Sequence, residues 1–464
     1  MTQEKMISPG LLQKFDVPGP RYTSYPTADR FVETFTDAIY SGALRKRRSG
    51  HASAAPLSLY VHLPFCASLC YYCGCNKIVT RHHEQASTYL RYLEKELDLL
   101  VAQAGAGQVV TQLHLGGGTP TFLSNDELRE LMAILRRGFV LAPGGEYSIE
   151  IDPRTVDGDR LAAIAEMGFN RLSFGVQDFD PDVQRAVNRV QPFEQVAGLM
   201  DEARRLRFPS INIDLIYGLP RQTPASFERT LSQVQRIRPD RIALYGYAHL
   251  PTRFKPQRRI LQTDLPGGVA KVAMLSQSMA ALLSAGYIHV GMDHFALPND
   301  SLAVAKRQGR LHRNFQGYST EPDCDLIALG VSAIGRVGTT YSQNFKTMRE
   351  YCDRLDAGRL PIARGLVLSH DDQVRRAAIM ALMCQGRLGY DAMGSDWKID
   401  FPSYFAPEIE RLQEFAEQEQ ELVVLDDEGI RVTANGWFVV RAVAMVFDRY
   451  LQAGHDLQKF SRII

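Results

Sequence analysis

Four of the seven cysteines in this chain fall within ten residues, in the run Cys66-Ala67-Ser68-Leu69-Cys70-Tyr71-Tyr72-Cys73-Gly74-Cys75. The first three form a CxxxCxxC loop directly after a strand-like run, Leu57–Leu63. Three adjacent thiolates can hold three irons of a [4Fe–4S] cluster, leaving a fourth iron open to a substrate or cofactor. The competing reading is a structural zinc site, which usually draws two cysteine pairs, or cysteine plus histidine, from separated positions. No second CxxC or HxxxH pair occurs, and Cys324, Cys352 and Cys384 stand alone. A disulfide framework is disfavoured because a chain of this size buries ample core without staples.

With Tyr72 just before its third cysteine, the loop resembles that of the radical S-adenosylmethionine (SAM) superfamily. The resemblance implies that SAM chelates the open iron and that the reduced cluster generates a 5′-deoxyadenosyl radical. Cys75 and the arm Pro20–Thr27 extend the resemblance to the oxygen-independent coproporphyrinogen III oxidases, from about Pro20 to the C-terminus. On that resemblance Cys66, Cys70 and Cys73 are the metal ligands, and Cys75 is not one.

The bulk of the chain must position this loop. Its 464 residues suit one large domain with an appendage, or two domains. A net charge of +1 gives no global field for nucleic acid or an anionic membrane. Met1–Gly10 lacks the apolar core of a signal peptide, and no run is long and apolar enough to span a bilayer. Clustered free cysteines then point to a reducing cytoplasm. Pro18–Thr27 carries three prolines and two tyrosines, so it reads as an extended arm, either a rigid strap or a lid presenting Arg21 and the tyrosines to a ligand.

From Leu57 onward strand-like and helix-like segments alternate. The strands are Leu57–Leu63, Val110–Leu115, Glu146–Asp152, Arg171–Gln177, Ile211–Tyr217 and Arg241–Tyr247. Six βα units predict an α/β fold, a parallel sheet closed or nearly closed into a barrel. One strand face is polar or small, as in Ser58, Tyr60 and His62 or Glu146, Ser148, Glu150 and Asp152; the other is apolar, as in Leu57, Leu59, Val61 and Leu63. Alternate residues face opposite sides, so the polar set lines the interior. Unpartnered buried carboxylates are costly; the lumen therefore holds a polar ligand and water, unless Arg and Lys pair with those acids inside the fold.

Gly116-Gly117-Gly118-Thr119-Pro120 ends the second strand. It lacks the Lys-Ser/Thr of a P-loop and the spacing of a dinucleotide fingerprint. It resembles the radical SAM glycine loop, which implies Gly117, Gly118 and Thr119 as SAM contacts. The same resemblance assigns Glu150, Gln177, Arg189 and Asp214 to SAM, with Tyr60, Ala248 and Ile334 as further contacts. It also implies a second SAM beside the first, touched by Tyr72, Gly118, Thr119, Gln177, Arg189, Asp214 and Ala248. The polar-aromatic segments Gly291–Ala296 and His312–Tyr318 resemble family segments near the active site; a lone histidine such as His294 is more often structural.

Three divisions follow: 1–50, an N-terminal arm and lid segment; 51–368, a radical SAM-type partial (β/α)6 barrel with an extension; and 369–464, a mainly helical C-terminal domain with a small hairpin. In the last, Asp371–Gln385 reads as a helix, Leu422–Leu425 and Ile430–Thr433 as a hairpin, and Gly436–Leu451 as a final helix. This looks like a winged helix, but the acidic turn Asp426-Asp427-Glu428 and the apolar run Trp437–Val440 give no basic recognition face.

The resemblance implies oxidative decarboxylation of the propionates of rings A and B of coproporphyrinogen III to vinyl groups, giving protoporphyrinogen IX. It implies an electron donor such as flavodoxin or ferredoxin and an unidentified electron acceptor; with no exposed heptad to suggest a partner helix, a monomer is expected. Propionates call for cationic partners, and Arg21, Lys77, Arg81 and Arg313 qualify by position. The alternative is a related heme chaperone that keeps the [4Fe–4S] cluster without decarboxylase activity; Cys75 and the arm favour the oxidase. No catalytic residue is assigned.

Overall fold

The computed structural model describes residues 10, 14–15, 17–50, 56–321, 323–418, 422–452 and 460–463. The reading of Met1–Gly10 as no signal peptide therefore falls outside the described residues except for Gly10.

The chain builds β1 (Leu57–Leu63), the short β2 (Phe65–Cys66) and β3 (Ile78–Val79), β4 (Gln108–Gly117), β5 (Phe139–Ile151), β6 (Arg171–Gln177), β7 (Ser210–Tyr217) and β8 (Arg241–Gly246). There follow β9 (Ile288–Gly291), β10 (His294–Ala296), β11 (His312–Asn314), β12 (Gly317–Ser319), β13 (Asp325–Leu329), β14 (Ile334–Val337), β15 (Thr340–Asn344) and β16 (Ile362–Val367). β1 and β4 to β8 pair in parallel in that order, and β13 joins β1 in parallel. Antiparallel β14 to β16 extend one edge and β10 and β9 the other. The sheet is thus an open, partial barrel, as the six βα units predict. The hairpin β11–β12 stands in the gap: Gln112 Nε2 of β4 donates to Ser319 Oγ at 2.8 Å, and Asn314 and Tyr318 line the same cavity as β4 to β8.

The alternation explains the layering. Leu57, Leu59, Val61 and Leu63 are buried under helices. Helix Glu84–Ala104 covers that side with Tyr89, Leu90, Leu93, Leu97 and Leu100 on one face. Helix Asn125–Gly138 starts at a capping box between Ser124 and Glu127, which satisfies otherwise orphaned N–H groups.

The C-terminal part has its own core. Helix His370–Gln385 begins at a Ser369/Asp372 capping box and ends at Gly386. The expected two-stranded wing has a third strand: β17 (Arg387–Gly389) pairs with β19 (Gly429–Val432), which pairs with β18 (Val423–Leu425). Three residues are too few to carry a strand pattern. The expected final helix is broken into a 3-10 turn, Gly436–Val439, and the short helices Val440–Met445 and Arg449–Gln452. The break falls at Asp448, whose carboxylate accepts from Tyr450 N at 2.9 Å and Leu451 N at 3.3 Å and so starts a new turn.

The arm belongs to this second core. Tyr22 and Tyr25 are buried there, Tyr22 Oη donates to Asp448 at 3.1 Å, and Arg441 donates to the carbonyls of Gly19 and Pro20. The two tyrosines of the arm therefore do not face a ligand, and the strap reading holds for them; Arg21 alone points back to the barrel, pairing with Asp293. Among the described residues no helix is long and apolar enough to cross a membrane.

Candidate functional site

The cysteine loop leaves the sheet at β2 and returns at β3. Ile78 N donates to Pro64 O at 2.7 Å and Thr80 N to Cys66 O at 3.0 Å, so both ends of the loop are tied to one place. The glycine loop packs directly beneath it. Gly118 N donates to Leu63 O and Thr119 N to Phe65 O, each at 2.8 Å. A Cβ on Gly118 would lie 2.6 Å from Pro64 O and 2.7 Å from Phe65 O, and one on Gly117 (φ +117°) 2.7 Å from the His62 ring. Glycine is required at both.

Cys66, Cys70 and Cys73 are free thiols that line one cavity of about 280 Å³ together with Gly117, Gly118, Thr119, Glu150, Gln177, Arg189 and Asp214. Thr119 Oγ1 donates to Cys66 Sγ at 3.5 Å; Arg189 and Arg154 donate to Cys70 Sγ at 3.4 and 3.6 Å. Burial pushes the Cys66 thiol up to about 11, whereas the Cys75 hydrogen bond draws Cys73 down to about 6. Among the described residues no three His, Cys, Asp or Glu side chains converge closely enough to chelate a single ion. Three thiols spread around a cavity, with N–H and O–H groups aimed at the sulfurs of Cys66 and Cys70, fit a cluster with several irons better than a compact zinc site.

Two carboxylates face the cavity without a Lys or Arg partner. Glu150 accepts from Gly117 N at 3.1 Å and from His114 Nε2 at 3.3 Å. Burial alone would raise this carboxyl, but the His114 bond and charge and the Gly117 N–H together hold it below its ordinary value. Asp214 accepts from Asn212 at 2.8 Å and Ser173 at 3.3 Å; burial and the Glu150 charge push it up to about 6. Asp152 is paired, with Arg154 at 2.6 Å and Arg189 at 3.2 Å.

Glu150, Ser173, Asp214 and Tyr245 also line a second, deeper cavity of about 180 Å³, making one hollow of the two. Its walls are the polar strand faces Gln112, His114, Glu146, Ser148 and Asn212, so the lumen is polar as the alternation predicts. Arg171 pairs with Glu146, and Arg241 with Asp300 at 2.7 Å. Internal ion pairs thus account for the acids at the far end of the strands, not for Glu150 or Asp214.

The remaining predicted residues divide. Tyr72 lines the thiol cavity, and Gln257 Nε2 ties its carbonyl (2.9 Å) to that of Ala248 (3.2 Å). Tyr60 stacks on His114 with centroids 5.9 Å apart and bonds His62 Nδ1 at 3.0 Å, standing behind the cavity wall. Ile334 lines neither cavity; it packs against the cluster of Phe31, Tyr341 and Leu368. Gln177 holds a left-handed backbone (φ +70°) at the cavity. Of the basic candidates, Lys77 lines the thiol cavity and donates to Cys73 O at 3.1 Å, Arg81 is exposed, and Arg313 is buried. Strand alternation places His114 in the lumen, though not its bond to Glu150. Arg154 and Tyr245 were not predicted; Arg154 could have been suspected as a basic residue just past a strand's C-terminal end, while Tyr245 carries no local signal.

Residues 60–234 match the radical SAM superfamily and residues 368–439 the HemN C-terminal domain. The chain is 49% identical to the oxygen-independent coproporphyrinogen III oxidase of Pseudomonas aeruginosa and 47% identical to that of Escherichia coli (strain K12), covering 98% of both chains in each case. It is similar to the solved structure of the Escherichia coli coproporphyrinogen III oxidase HemN, a radical SAM enzyme, with a TM-score of 0.89 and 46% identity over 94% of this chain and 100% of that one.

Proposed function

The chain belongs to the oxygen-independent coproporphyrinogen III oxidases of the radical SAM superfamily, and from that membership we propose how its thiol-lined hollow works. The enzyme is an oxidoreductase of heme biosynthesis that converts the propionates of rings A and B of coproporphyrinogen III to vinyl groups, giving protoporphyrinogen IX without oxygen. Each propionate gives up a β-hydrogen atom, carbon dioxide and one electron. A [4Fe–4S] cluster and SAM supply, when bound, the one-electron and hydrogen-abstracting chemistry that acid–base groups cannot provide at neutral pH. The observation that carries the reading is the cavity shared by three free thiols, the glycine loop and Glu150.

In this reading Cys66, Cys70 and Cys73 hold the cluster. Gly117, Gly118 and Thr119 would offer backbone groups to SAM and Glu150 would accept from its amino end, with Tyr60, Ala248 and Ile334, none of which lines either cavity, as its outer boundary. A second SAM would be held by Tyr72, Gly118, Thr119, Gln177, Arg189, Asp214 and Ala248. The polar lumen holds the substrate's edge and keeps bulk water away, so that position rather than proton transfer is the protein's main contribution. The protein works as a cytoplasmic monomer, independent of nucleic acid or membrane. A donor such as flavodoxin or ferredoxin supplies electrons, and a separate acceptor takes the substrate electron. The functional divisions are 1–50, 51–368 and 369–464.

Anaerobic reconstitution tests the ligand set. The unsubstituted chain and C75A take up four irons and four sulfides, whereas C66A, C70A and C73A do not; zinc in place of iron, or a requirement for Cys75, contradicts it.

A further inference from the structure

The cysteine loop reaches the surface at Gly74–Asn76, where each residue is exposed. One segment is clamped over the neighbouring part of the loop. After β8 the chain runs through Pro251–Ile260 and turns in a 3-10 helix, Lys255–Arg259. Phe254 packs so closely on Gly74 that a Cβ there would lie 3.1 Å from its ring. Gln257 Nε2 donates to Tyr72 O at 2.9 Å. Arg259 donates to Tyr71 Oη at 3.3 Å, and its guanidinium stands 5.1 Å from that ring's centroid. On the loop's other flank Tyr71 N donates to Val187 O at 3.0 Å, and three residues on, Val190 is 58% exposed.

That segment carries Arg253, Lys255, Arg258 and Arg259 and no acid, in a chain whose net charge is only +1. All four cations are exposed. Arg258 Nε donates to Pro251 O at 3.0 Å and Arg259 to the Tyr71 hydroxyl, both neutral partners that leave the charges uncancelled. Lys346, whose carbonyl accepts from Asn76 Nδ2 at 3.1 Å, is exposed too and carries positive charge past the other side of the Gly74–Asn76 corner. Beyond it, Asp29 and Glu33 partly offset Arg364. Fastening the loop explains Phe254, Gln257 and Arg259, but not Lys255 and Arg258. Resting on the oxidase reading above, we propose that this basic surface, with the loop corner beside it, is where an acidic electron-carrier protein docks. One electron passes from the reduced carrier to the thiol-held centre; no bond forms or breaks and no proton moves in that step. Exposed cations around a patch of Tyr71, Phe254 and Val190 match an interface with an apolar centre and a polar rim. Opposite charge on the partner steers the encounter and fixes its register.

The test uses the full, anaerobically reconstituted chain and a bacterial flavodoxin, an acidic one-electron carrier, as probe, with binding followed by biolayer interferometry at low ionic strength. K255E/R258E is expected to weaken binding by about 10- to 100-fold. Added salt narrows that gap, since exposed charges are screened beyond about 10 Å at 0.1 M. Iron content and dithionite-driven SAM cleavage stay as in the unsubstituted chain. Unchanged affinity in K255E/R258E overturns the surface. So does an equal loss in R205E/R411E, which reverses two exposed cations on helices Phe193–Arg205 and Ala406–Gln418. A matching loss of coproporphyrin III affinity also overturns it, because the charges would then serve the substrate. If K255E/R258E does not load iron, K255Q/R258Q decides: weaker carrier binding at full iron content upholds the surface, and unchanged binding overturns it. Failure of dithionite-driven SAM cleavage by the unsubstituted chain sinks the oxidase reading, while charge-dependent carrier binding still upholds the surface.

Discussion

Two guanidiniums converge on Cys70 Sγ, and they differ in what else they do. Arg189 also holds Asp152 and the Gly175 carbonyl, so it ties two strand ends to the cysteine loop. Arg154 has a shorter reach, to Asp152, to the Asn188 carbonyl and to the sulfur. Hydrogen bonds to cluster sulfurs raise reduction potential. R154Q therefore keeps the cluster but moves its midpoint to more negative values in an EPR-monitored titration; an unchanged midpoint shows that this contact does not tune it. At this scale the sequence was legible where chemistry is contiguous, in the cysteine loop and the triple glycine. Strand alternation put His114 in the lumen but not against Glu150, and nothing marked Arg154: a contact made across two strands leaves no spacing to read. Ile334, expected from resemblance alone, packs against the arm residue Phe31 and lines neither cavity.

The elements are joined to the site by buried polar contacts as well as by apolar packing. Glu96, on helix Glu84–Ala104, is 2% exposed and accepts from Gly330 N at 2.7 Å, Asn344 Nδ2 at 2.6 Å and Tyr351 Oη at 2.6 Å. Two turns of helix away, Tyr89 Oη donates to His62 O at 2.8 Å and accepts from Val331 N at 2.9 Å. Together they fasten the helix to the β13–β14 turn and to the strand end under the glycine loop. Burial pushes the Glu96 carboxyl up to about 7, despite the three donors. Because the folded state holds that proton more tightly than the unfolded chain, the group's contribution is complete below about pH 4.5 and is lost as pH rises through 7. E96Q, which has no charge to bury, should gain on the unsubstituted protein by up to about 3 kcal/mol between pH 5 and pH 8. Thermal midpoints of both proteins at the two pH values check it, and an equal difference at both contradicts it. The strand pattern carried the barrel well because period-two alternation extends over whole strands. The three-residue β17 and the break at Asp448 escaped because one local hydrogen-bond choice decides each.

At the scale of the whole molecule, the arm links two cores. Its tyrosines enter the C-terminal core while the neighbouring Arg21 pairs with Asp293 at the β9–β10 edge of the barrel sheet, so the arm fastens the C-terminal part to that edge. Proline and tyrosine content made the arm recognisable as a strap, but which side chains turn to which core is a tertiary matter that spacing does not encode. Y22F removes the donor to buried Asp448 and leaves that carboxylate with an unmet bond, at a cost of about 1–3 kcal/mol. The variant is expected to lose protection of the arm from limited proteolysis while helix Glu84–Ala104 stays protected; unaltered cleavage of the arm would mean that the contact does not fasten it. The balanced charge and the polar lumen were readable from composition and alternation, whereas the Arg21–Asp293 pair was not, because its partners come from distant segments. All of this structure serves one claim, that the thiol-lined end of the hollow performs radical decarboxylation. The direct measurement is an oxygen-free incubation of the iron-loaded chain with reductant, SAM, coproporphyrinogen III and an electron acceptor, with products identified by mass. Protoporphyrinogen IX, carbon dioxide and 5′-deoxyadenosine are the predicted products; intact SAM and unaltered coproporphyrinogen from a fully loaded protein would contradict the account.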